Sequence, residues 1–177
     1  DAVTGALNVD AVLTRRNRFV HDWDDASQVS WLDDNGLDLV RGHGRLVGDR
    51  RVVVDEGNGA SLELRATAAV SVCTGSRAAV PPVPGLADAR PWTSRDATSA
   101  ASVPPRLAIV GGGVVACEMA TAFASFGSQV TVFERGSRLL GGVPAFAAEA
   151  VTGSLRDMGV AVELGTELER AIRRPDG

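Results

Sequence analysis

The chain has 177 residues, of which 45% are hydrophobic, and a formal net charge of −4 at pH 7. Acidic and basic residues are interspersed along it, which excludes a basic footprint for nucleic acid and a cationic helix for a membrane surface. The longest apolar runs have the length of a strand, short of the roughly 18 residues of a membrane span, and no basic-then-apolar leader opens the chain. We therefore expect a cytoplasmic globular protein of one or two domains.

Two helical patterns occupy the start of the chain, at residues 9–23 and 27–34, and Gly36 ends the second. The charged residues of the first pattern are typical of a solvated face. His21 lies beside acidic residues with no nucleophile near it, and His43 is the other histidine of the chain. Because no cluster of metal-type ligands accompanies them, we predict no metal site.

Short β segments follow, separated by turns rich in glycine and asparagine. They predict an antiparallel β meander, with segments at residues 37–40, 45–47, 51–55, 61–65 and 69–72. The stretch GHGRLVG at residues 42–48 has the spacing GxGxxxG and leads into a strand, so it does not fit a phosphate loop. We interpret it as a turn between strands.

A proline-rich connector separates the meander from the rest of the chain. In AVSVCTGSRAAVPPVPGL, residues 69–86, a β run ends at the turn TGS, and the prolines that follow favour an extended path. After a short predicted helix at residues 94–101, two prolines restart the chain before the next strand. We place a domain boundary in this region, between residues 1–103 and residues 104–177.

The most informative stretch is LAIVGGGVVACEMATAFASFGSQVTVFER, residues 107–135. It predicts a strand suited to burial on both faces, a glycine turn, a helix, a second strand and a terminal acid. Gly111, Gly113 and Ala116 occupy the small positions of the dinucleotide-binding pattern GxGxxG/A. Gly111 permits the tight turn, Gly113 lets the backbone approach a pyrophosphate, and Ala116 lets the helix pack close to the strand. The helix that begins at Val114 favours an anion at its N-terminus.

The helix is predicted at residues 114–126, and the strand after it leads to Glu134, 21 residues beyond Gly113. An acid at this place accepts hydrogen bonds from an adenosine ribose. The apolar face of the helix is expected to comprise Val115, Met119, Ala122, Phe123 and Phe126. A glycine turn that binds nothing is the alternative interpretation of the same pattern.

A further helix at residues 145–158 and a strand at residues 160–164 complete the prediction. The three strands predict an α/β fold with a Rossmann-like βαβ unit, in three layers around a parallel sheet. A doubly wound nucleotide domain normally has more strands than these three.

The two cysteines, Cys73 and Cys117, are 44 residues apart and belong to no CxxC or CxxxxC pair. They therefore offer no local redox dithiol or zinc site. We expect both to be buried, unreactive thiols.

Glu134 also bears on the choice of cofactor. A carboxylate there accepts hydrogen bonds from a free 2′-hydroxyl and repels a 2′-phosphate, which favours NAD. Arg135 and Arg138 follow it directly, and a guanidinium next to the site can hold that phosphate, so NADP stays open. We interpret Arg138 as a solvated charge after the strand.

The stretches VCTGSRAAVPPVPGL and LAIVGGGVVACEMATAFASFGSQVTVFERGSRLLGG resemble the pyridine nucleotide-disulfide oxidoreductase family, flavoproteins that include dihydrolipoamide dehydrogenase, glutathione reductase and mercuric reductase. The resemblance covers about residues 40–177. It implies a nicotinamide-binding domain inserted into an FAD-binding domain, so residues 1–103 would be a partial FAD-binding domain and residues 104–177 a partial NAD(P)-binding domain.

The resemblance also implies a role for individual residues. Those that would hold FAD are Gly44, at the adenine, and Thr74, Gly75 and Ser76, against the flavin. Those that would bind NAD(P) are Gly111, Gly113, Val114 and Ala116 at the pyrophosphate, Glu118 near the nicotinamide end, and Glu134 with Arg135 at the adenosine ribose.

The implied activity is hydride transfer from NAD(P)H to FAD, followed by electron transfer to a disulfide or similar acceptor. The family's first GxGxxG, its redox CxxxxC and its C-terminal His–Glu pair have no match in this sequence, and Cys73 stands where the family's ATG motif has alanine. We therefore predict that this chain contains no catalytic residue, and that it is an internal fragment of a longer enzyme and inactive alone. We expect the full-length enzyme to be a homodimer. The alternative is a stand-alone or remnant nucleotide-binding module without redox activity.

Overall fold

The computed structural model describes residue 5 and residues 7–174, and the outer ends of the two predicted domains lie outside the described residues. The chain forms an α/β structure, as predicted, and it contains two three-stranded sheets. The helices are α1 (Val9–Phe19), α2 (Ala26–Asp34), α3 (Leu86–Ala89), α4 (Ser94–Thr98), α5 (Val114–Ser125) and α6 (Ala145–Asp157). The strands are β1 (His43–Gly48), β2 (Arg51–Asp55), β3 (Ser61–Arg65), β4 (Arg106–Val110), β5 (Gln129–Glu134) and β6 (Ala161–Leu164).

The chain divides into two compact units. The N-terminal unit is Arg15–Ser76, and the C-terminal unit consists of the described residues of Asp1–Thr14 and Arg77–Gly177. These units are defined by contacts within the chain, whereas the boundary near residue 103 concerns cofactor domains and stays a prediction.

The N-terminal unit contains the predicted meander, in which β1 and β3 both pair antiparallel with β2. The interpretation of residues 42–48 as a turn is wrong, because most of that stretch forms β1. The strands predicted at residues 37–40 and 69–72 are also wrong, since both stretches lack strand structure. An isolated extended segment has no neighbour to satisfy its backbone donors and acceptors, and so it does not count as a strand.

The meander has an apolar face and a charged face. On the apolar face Leu46, Val52 and Leu64 lie opposite one another across the three strands. On the charged face Nε and Nη2 of Arg51 donate to the two carboxylate oxygens of Glu63, at 2.9 and 3.0 Å. This hydrogen bonding, with the positive charge of Arg51, lowers the pKa of the exposed Glu63. Within the three strands the one buried residue is Val54.

The C-terminal unit contains the parallel sheet, with β5 paired to β4 on one side and to β6 on the other. Val130 and Val132 of β5 are buried at 2% and 0% exposure, because β5 is the central strand and α5 packs against it, while α6 packs against β6 and α5. The expectation that the first strand is buried on both faces is wrong, since β4 lies at the edge of the described sheet and Val110 is 47% exposed.

The buried face of α5 differs from the predicted one by about one position. It consists of Ala116, Cys117, Ala120 and Phe123, whereas Val115 is 52% exposed. The small Ala116 turns toward the core at the start of the helix, which rotates Val115 outward. Phe123 remains in the core, where its ring lies 6.1 Å from the ring of Trp92.

The stretch after β6 returns to the proline-rich connector. The backbone N–H of Ala171 donates to the carbonyl oxygen of Pro84 at 2.9 Å. Gly85 has a φ of +75°, and a Cβ there would collide with the Ala171 carbonyl oxygen. A glycine is therefore required where these two stretches meet. No helix among the described residues is long and apolar enough to cross a membrane.

Candidate nucleotide-binding site

The glycine turn lies between β4 and α5 and continues the parallel pairing of the sheet. The backbone N–H of Gly111 donates to the carbonyl oxygen of Phe133 at 2.8 Å, one position beyond the last residue of β4. Gly111 has a φ of +102°, a conformation that favours glycine, and Gly113 caps α5 in an extended conformation. A Cβ at either glycine would meet no atom within 4 Å. The turn therefore presents bare backbone to open space.

Gly112 has the opposite surroundings. It is buried, and a Cβ there would lie 2.6 Å from Leu139 Cδ2 and 2.9 Å from Glu134 Oε2. Its carbonyl oxygen also accepts a 2.7 Å hydrogen bond from the backbone N–H of Leu140. Sequence reasoning treated Gly112 as a variable position of the pattern, although a third consecutive glycine was a signal of close packing.

The Glu134 side chain turns back from the end of β5 to the glycine turn. Oε2 accepts a hydrogen bond from the backbone N–H of Gly112, and Oε1 accepts one from the backbone N–H of Gly136, each at 2.6 Å. The residue is half-buried. The structure thus places the predicted ribose acid beside the glycine turn, and it adds two backbone partners that the pattern did not indicate.

The first turn of α5 faces the same open space. Backbone N–H groups at a helix start have no partner within the helix, and with the helix dipole they favour an anion. Val114 is 59% exposed, Ala116 is buried and Glu118 is exposed. Gly111, Gly113, Val114 and Ala116 therefore lie together at the glycine turn, while Glu118 lies one helical turn further along.

The two arginines after Glu134 are both exposed. Arg138 donates to the carbonyl oxygen of Gly141 at 2.8 Å, within its own turn. Arg135 has no hydrogen-bond or ion-pair partner among the residues that the structure describes.

A cleft of about 590 Å³ opens beside the glycine turn, entirely within the C-terminal unit. One wall consists of the turn and the first residues of α5. The other wall is formed by the connector and the start of α4, and it includes Val80, Pro81, Trp92 and Thr93. The lining is largely apolar and contains bare glycine backbone at one end, an arrangement suited to a ligand with both a flat ring and a phosphate.

The residues predicted to hold FAD lie in the N-terminal unit. Gly44 is in β1 opposite Val54. Thr74, Gly75 and Ser76 are exposed and have no regular secondary structure, and Gly75 has a φ of +66°, where an added Cβ would meet no atom within 4 Å. Bare backbone at Gly75 is compatible with close approach of a planar group. No hydrogen bond joins Gly44 to residues 74–76 in the described part of the chain.

The cysteines differ in environment. The expectation that Cys73 is buried is wrong: it is exposed, with its sulfur 3.4 Å from Ser71 Oγ, because the segment around it joins no sheet. Cys117 is buried in α5, as expected. Burial, with a contribution from the charge of Glu118, raises the pKa of the Cys117 thiol. Among the described residues no three His, Cys, Asp or Glu side chains converge as metal ligands.

Residues 9–177 match the model of the family described as pyridine nucleotide-disulphide oxidoreductase. The chain is 37% identical over 162 residues to mercuric reductase from Acidithiobacillus ferrooxidans, covering 91% of this chain and 29% of that protein. It is 43% identical over 107 residues to dihydrolipoyl dehydrogenase from Acholeplasma laidlawii, covering 58% of this chain and 30% of that protein.

Solved structures of flavoprotein disulfide reductases are also similar to this chain. The HOCl-induced flavoprotein disulfide reductase RclA from Escherichia coli matches with a TM-score of 0.76 and 28% identity, covering 89% of this chain and 35% of that one. Its Cu(II) complex matches with a TM-score of 0.80 and 27% identity, covering 93% and 37%. The chain thus spans about a third of the length of these relatives, and its predicted flavin and pyridine nucleotide agree with the family description and with the name flavoprotein.

Proposed function

Since this chain belongs to the pyridine nucleotide-disulphide oxidoreductase family, we propose that it forms the part of an FAD-dependent NAD(P)H oxidoreductase, of the disulfide reductase type, that receives the nicotinamide cofactor. The relatives are named for different substrates, mercuric ion, a dihydrolipoyl group and a disulfide. The residues that choose the electron acceptor are therefore expected elsewhere in the enzyme, and no residue of this chain is proposed as catalytic.

The glycine turn is the observation that carries this proposal. Gly111 and Gly113 leave open space where a side chain would otherwise stand, and the start of α5 adds unpaired backbone donors. A pyrophosphate needs this combination, namely close approach to the backbone and several N–H groups aimed at it. The residues present therefore fit a dinucleotide, with Val114 and Ala116 shaping the same turn.

The adenosine ribose would be held by Glu134, whose carboxylate oxygens accept hydroxyl hydrogen bonds. This favours NAD over NADP, while the exposed Arg135 beside it could still meet a 2′-phosphate. Glu118 would lie toward the nicotinamide end. When bound, the nicotinamide would supply a hydride that a flavin accepts.

The flavin would be met by Thr74, Gly75 and Ser76, with backbone groups of Gly44 at its adenine. This chain would supply part of the flavin site, so we expect it to bind NADH weakly and to be purified without a full complement of FAD. The full-length enzyme would be a homodimer. The alternative is a nucleotide-binding module without redox activity. It would be supported if the full-length protein bound NADH but contained no flavin and transferred no electrons.

The direct test replaces Gly113 with valine. A Cβ at this position meets no atom within 4 Å, and the new side chain would enter the space proposed for the pyrophosphate, so NADH binding should be lost while the thermal unfolding midpoint stays close to that of the wild type. Binding is measured by calorimetry or by NADH fluorescence.

Gly153→Val is the matched control, because Gly153 lies in α6 and a Cβ there also meets nothing within 4 Å. It should bind NADH normally. NADH binding that survives in Gly113→Val would contradict the proposed pyrophosphate site.

A further inference from the structure

Glu134 joins two turns that are far apart in the sequence. Its two carboxylate oxygens bind the N–H of Gly112, before α5, and the N–H of Gly136, after β5. At 2.6 Å these are short, charge-assisted hydrogen bonds, which are stronger than neutral ones. Both backbone donors therefore depend on one side chain.

Neighbouring contacts support this arrangement. Leu140 N–H binds the carbonyl oxygen of Gly112 at 2.7 Å, and the fully buried Leu139 side chain lies against Gly112. On the other side, the N–H of Gly165 binds the carbonyl oxygen of Gly136 at 2.9 Å. The glycine turn and the turn after β5 thus touch through packing and main-chain bonds, with Glu134 as the charged link between them.

From this geometry we infer that Glu134 is a positioning residue, which holds the glycine turn in the shape that receives a pyrophosphate, in addition to any contact with ribose. The inference rests on the proposed function, because it concerns the same nucleotide site. If the side chain rotated away, the N–H of Gly112 and the N–H of Gly136 would each lose their acceptor, and leaving such donors unpaired is costly.

The same geometry bears on the discrimination between NAD and NADP. Each carboxylate oxygen has two acceptor positions, and one on each is taken by a backbone N–H. The remaining positions can accept the two ribose hydroxyls of NAD. A 2′-phosphate would require the carboxylate to move, and movement would release the glycine turn. A carboxylate held by these two hydrogen bonds has less freedom to move aside for a 2′-phosphate, which adds to the preference for NAD.

Glu134→Gln separates positioning from a ribose contact. Glutamine can still accept from and donate to ribose hydroxyls, but its NH₂ group cannot accept from an N–H, so one of the two backbone donors loses its partner. We expect Glu134→Gln to weaken NADH binding about tenfold or more. We also expect a loss of similar size for an NADH analogue that lacks the adenosine 2′- and 3′-hydroxyls.

A ribose contact alone predicts a different pattern. In that case Glu134→Gln would bind NADH within about twofold of the wild type. Alternatively, it would bind NADH more weakly but bind the hydroxyl-free analogue as well as the wild type does, because the analogue makes no ribose hydroxyl contact that the substitution could remove. Either result would overturn the inference. Glu163→Gln is the matched control, because Glu163 is an exposed carboxylate on the neighbouring strand β6 and the same charge is removed there. It should leave both affinities unchanged.

Amide hydrogen exchange of the nucleotide-free chain provides a second measurement that does not depend on binding. The Gly112 amide should be protected in the wild type and in Glu163→Gln, and it should exchange at least about tenfold faster in Glu134→Gln. Rapid exchange of this amide in the wild type would contradict the positioning role even if the variant did not fold. A wild type with a protected Gly112 amide that binds no NADH would contradict the proposed function and leave the positioning role intact.

Discussion

The parallel sheet and the meander have the same number of strands, yet they use their side chains differently. In the parallel sheet, Val130 and Val132 of the central strand are buried, with α5 packed against that strand and α6 against its neighbour β6. In the meander, β1 and β3 are exposed along their whole length, and only Val54 is buried. The difference shows that the packing of the described residues is concentrated in the C-terminal unit, around the parallel sheet.

The glycines of the two regions differ in the same way. Gly112 of the glycine turn could not accept a Cβ without displacing Leu139 and Glu134. Gly44 of the meander would place its Cβ at an ordinary 3.7 Å from Val52 Cγ1. Substitutions with identical chemistry should therefore have unequal effects in the two regions.

The largest effect is expected from a leucine pair. Leu155 of α6 is 1% exposed and Leu46 of β1 is 59% exposed. Leu155→Ala should lower the free energy of unfolding by about 2–5 kcal/mol because it leaves a cavity in the core, whereas Leu46→Ala should change it by about 0.5 kcal/mol or less. Urea unfolding of the C-terminal unit can be followed through Trp92, which contacts the core, and that of the N-terminal unit through Trp23 and Trp31, in each case with the tryptophans of the other unit replaced by phenylalanine. Equal losses would remove the distinction between the regions.

The glycine pair should give a smaller difference. Gly112→Ala forces Leu139 or Glu134 to shift, and such overpacking costs about 1–3 kcal/mol. Gly44→Ala meets ordinary van der Waals contact, so its free energy of unfolding should change by about 0.5 kcal/mol or less. Both are measured by the same urea titration. A neutral Gly112→Ala would show that the turn can relax around a side chain.

The cysteine pair should give the smallest effect on the free energy of unfolding, and this effect should depend on pH. Cys73 should react quickly with a chromogenic disulfide reagent, while Cys117 should react only as fast as its surroundings open. Burial raises the pKa of the Cys117 thiol in the folded state. The protonated thiol therefore contributes to the stability of the fold in full below the usual cysteine pKa of about 8.5. This contribution is lost as the pH rises through the higher folded-state pKa.

The matched variants are Cys117→Ala, which should abolish this decline in stability above about pH 8.5, and Cys73→Ser, which should leave it unchanged. Equal labelling rates for the two thiols in the native chain would contradict the difference in burial.

The fold and the glycine turn could be predicted because their signals are local. Strand, turn and helix follow one another along the chain, so Gly111, Gly113 and Ala116 could be assigned from spacing alone. The parallel order of β4, β5 and β6 follows from the same alternation, and the comparisons confirm the family.

The errors occurred where partners are distant in the sequence. Residues 37–40 and 69–72 have the composition of strands but no neighbour to pair with, and Cys73 is exposed for the same reason. The return of Glu134 to Gly112 spans a helix and a strand, so no local pattern could indicate it. The roles of individual residues in cofactor binding stay predictions.

The hydrogen bond between Ala171 and Pro84 joins two residues that are 87 positions apart. The stretch between them, which contains the whole parallel sheet, therefore leaves the connector and comes back to it at nearly the same point. A segment whose entry and exit coincide can be gained, lost or exchanged as a cassette without rearranging the chain on either side. Gly85, which has no room for a side chain at this junction, keeps the two stretches in contact.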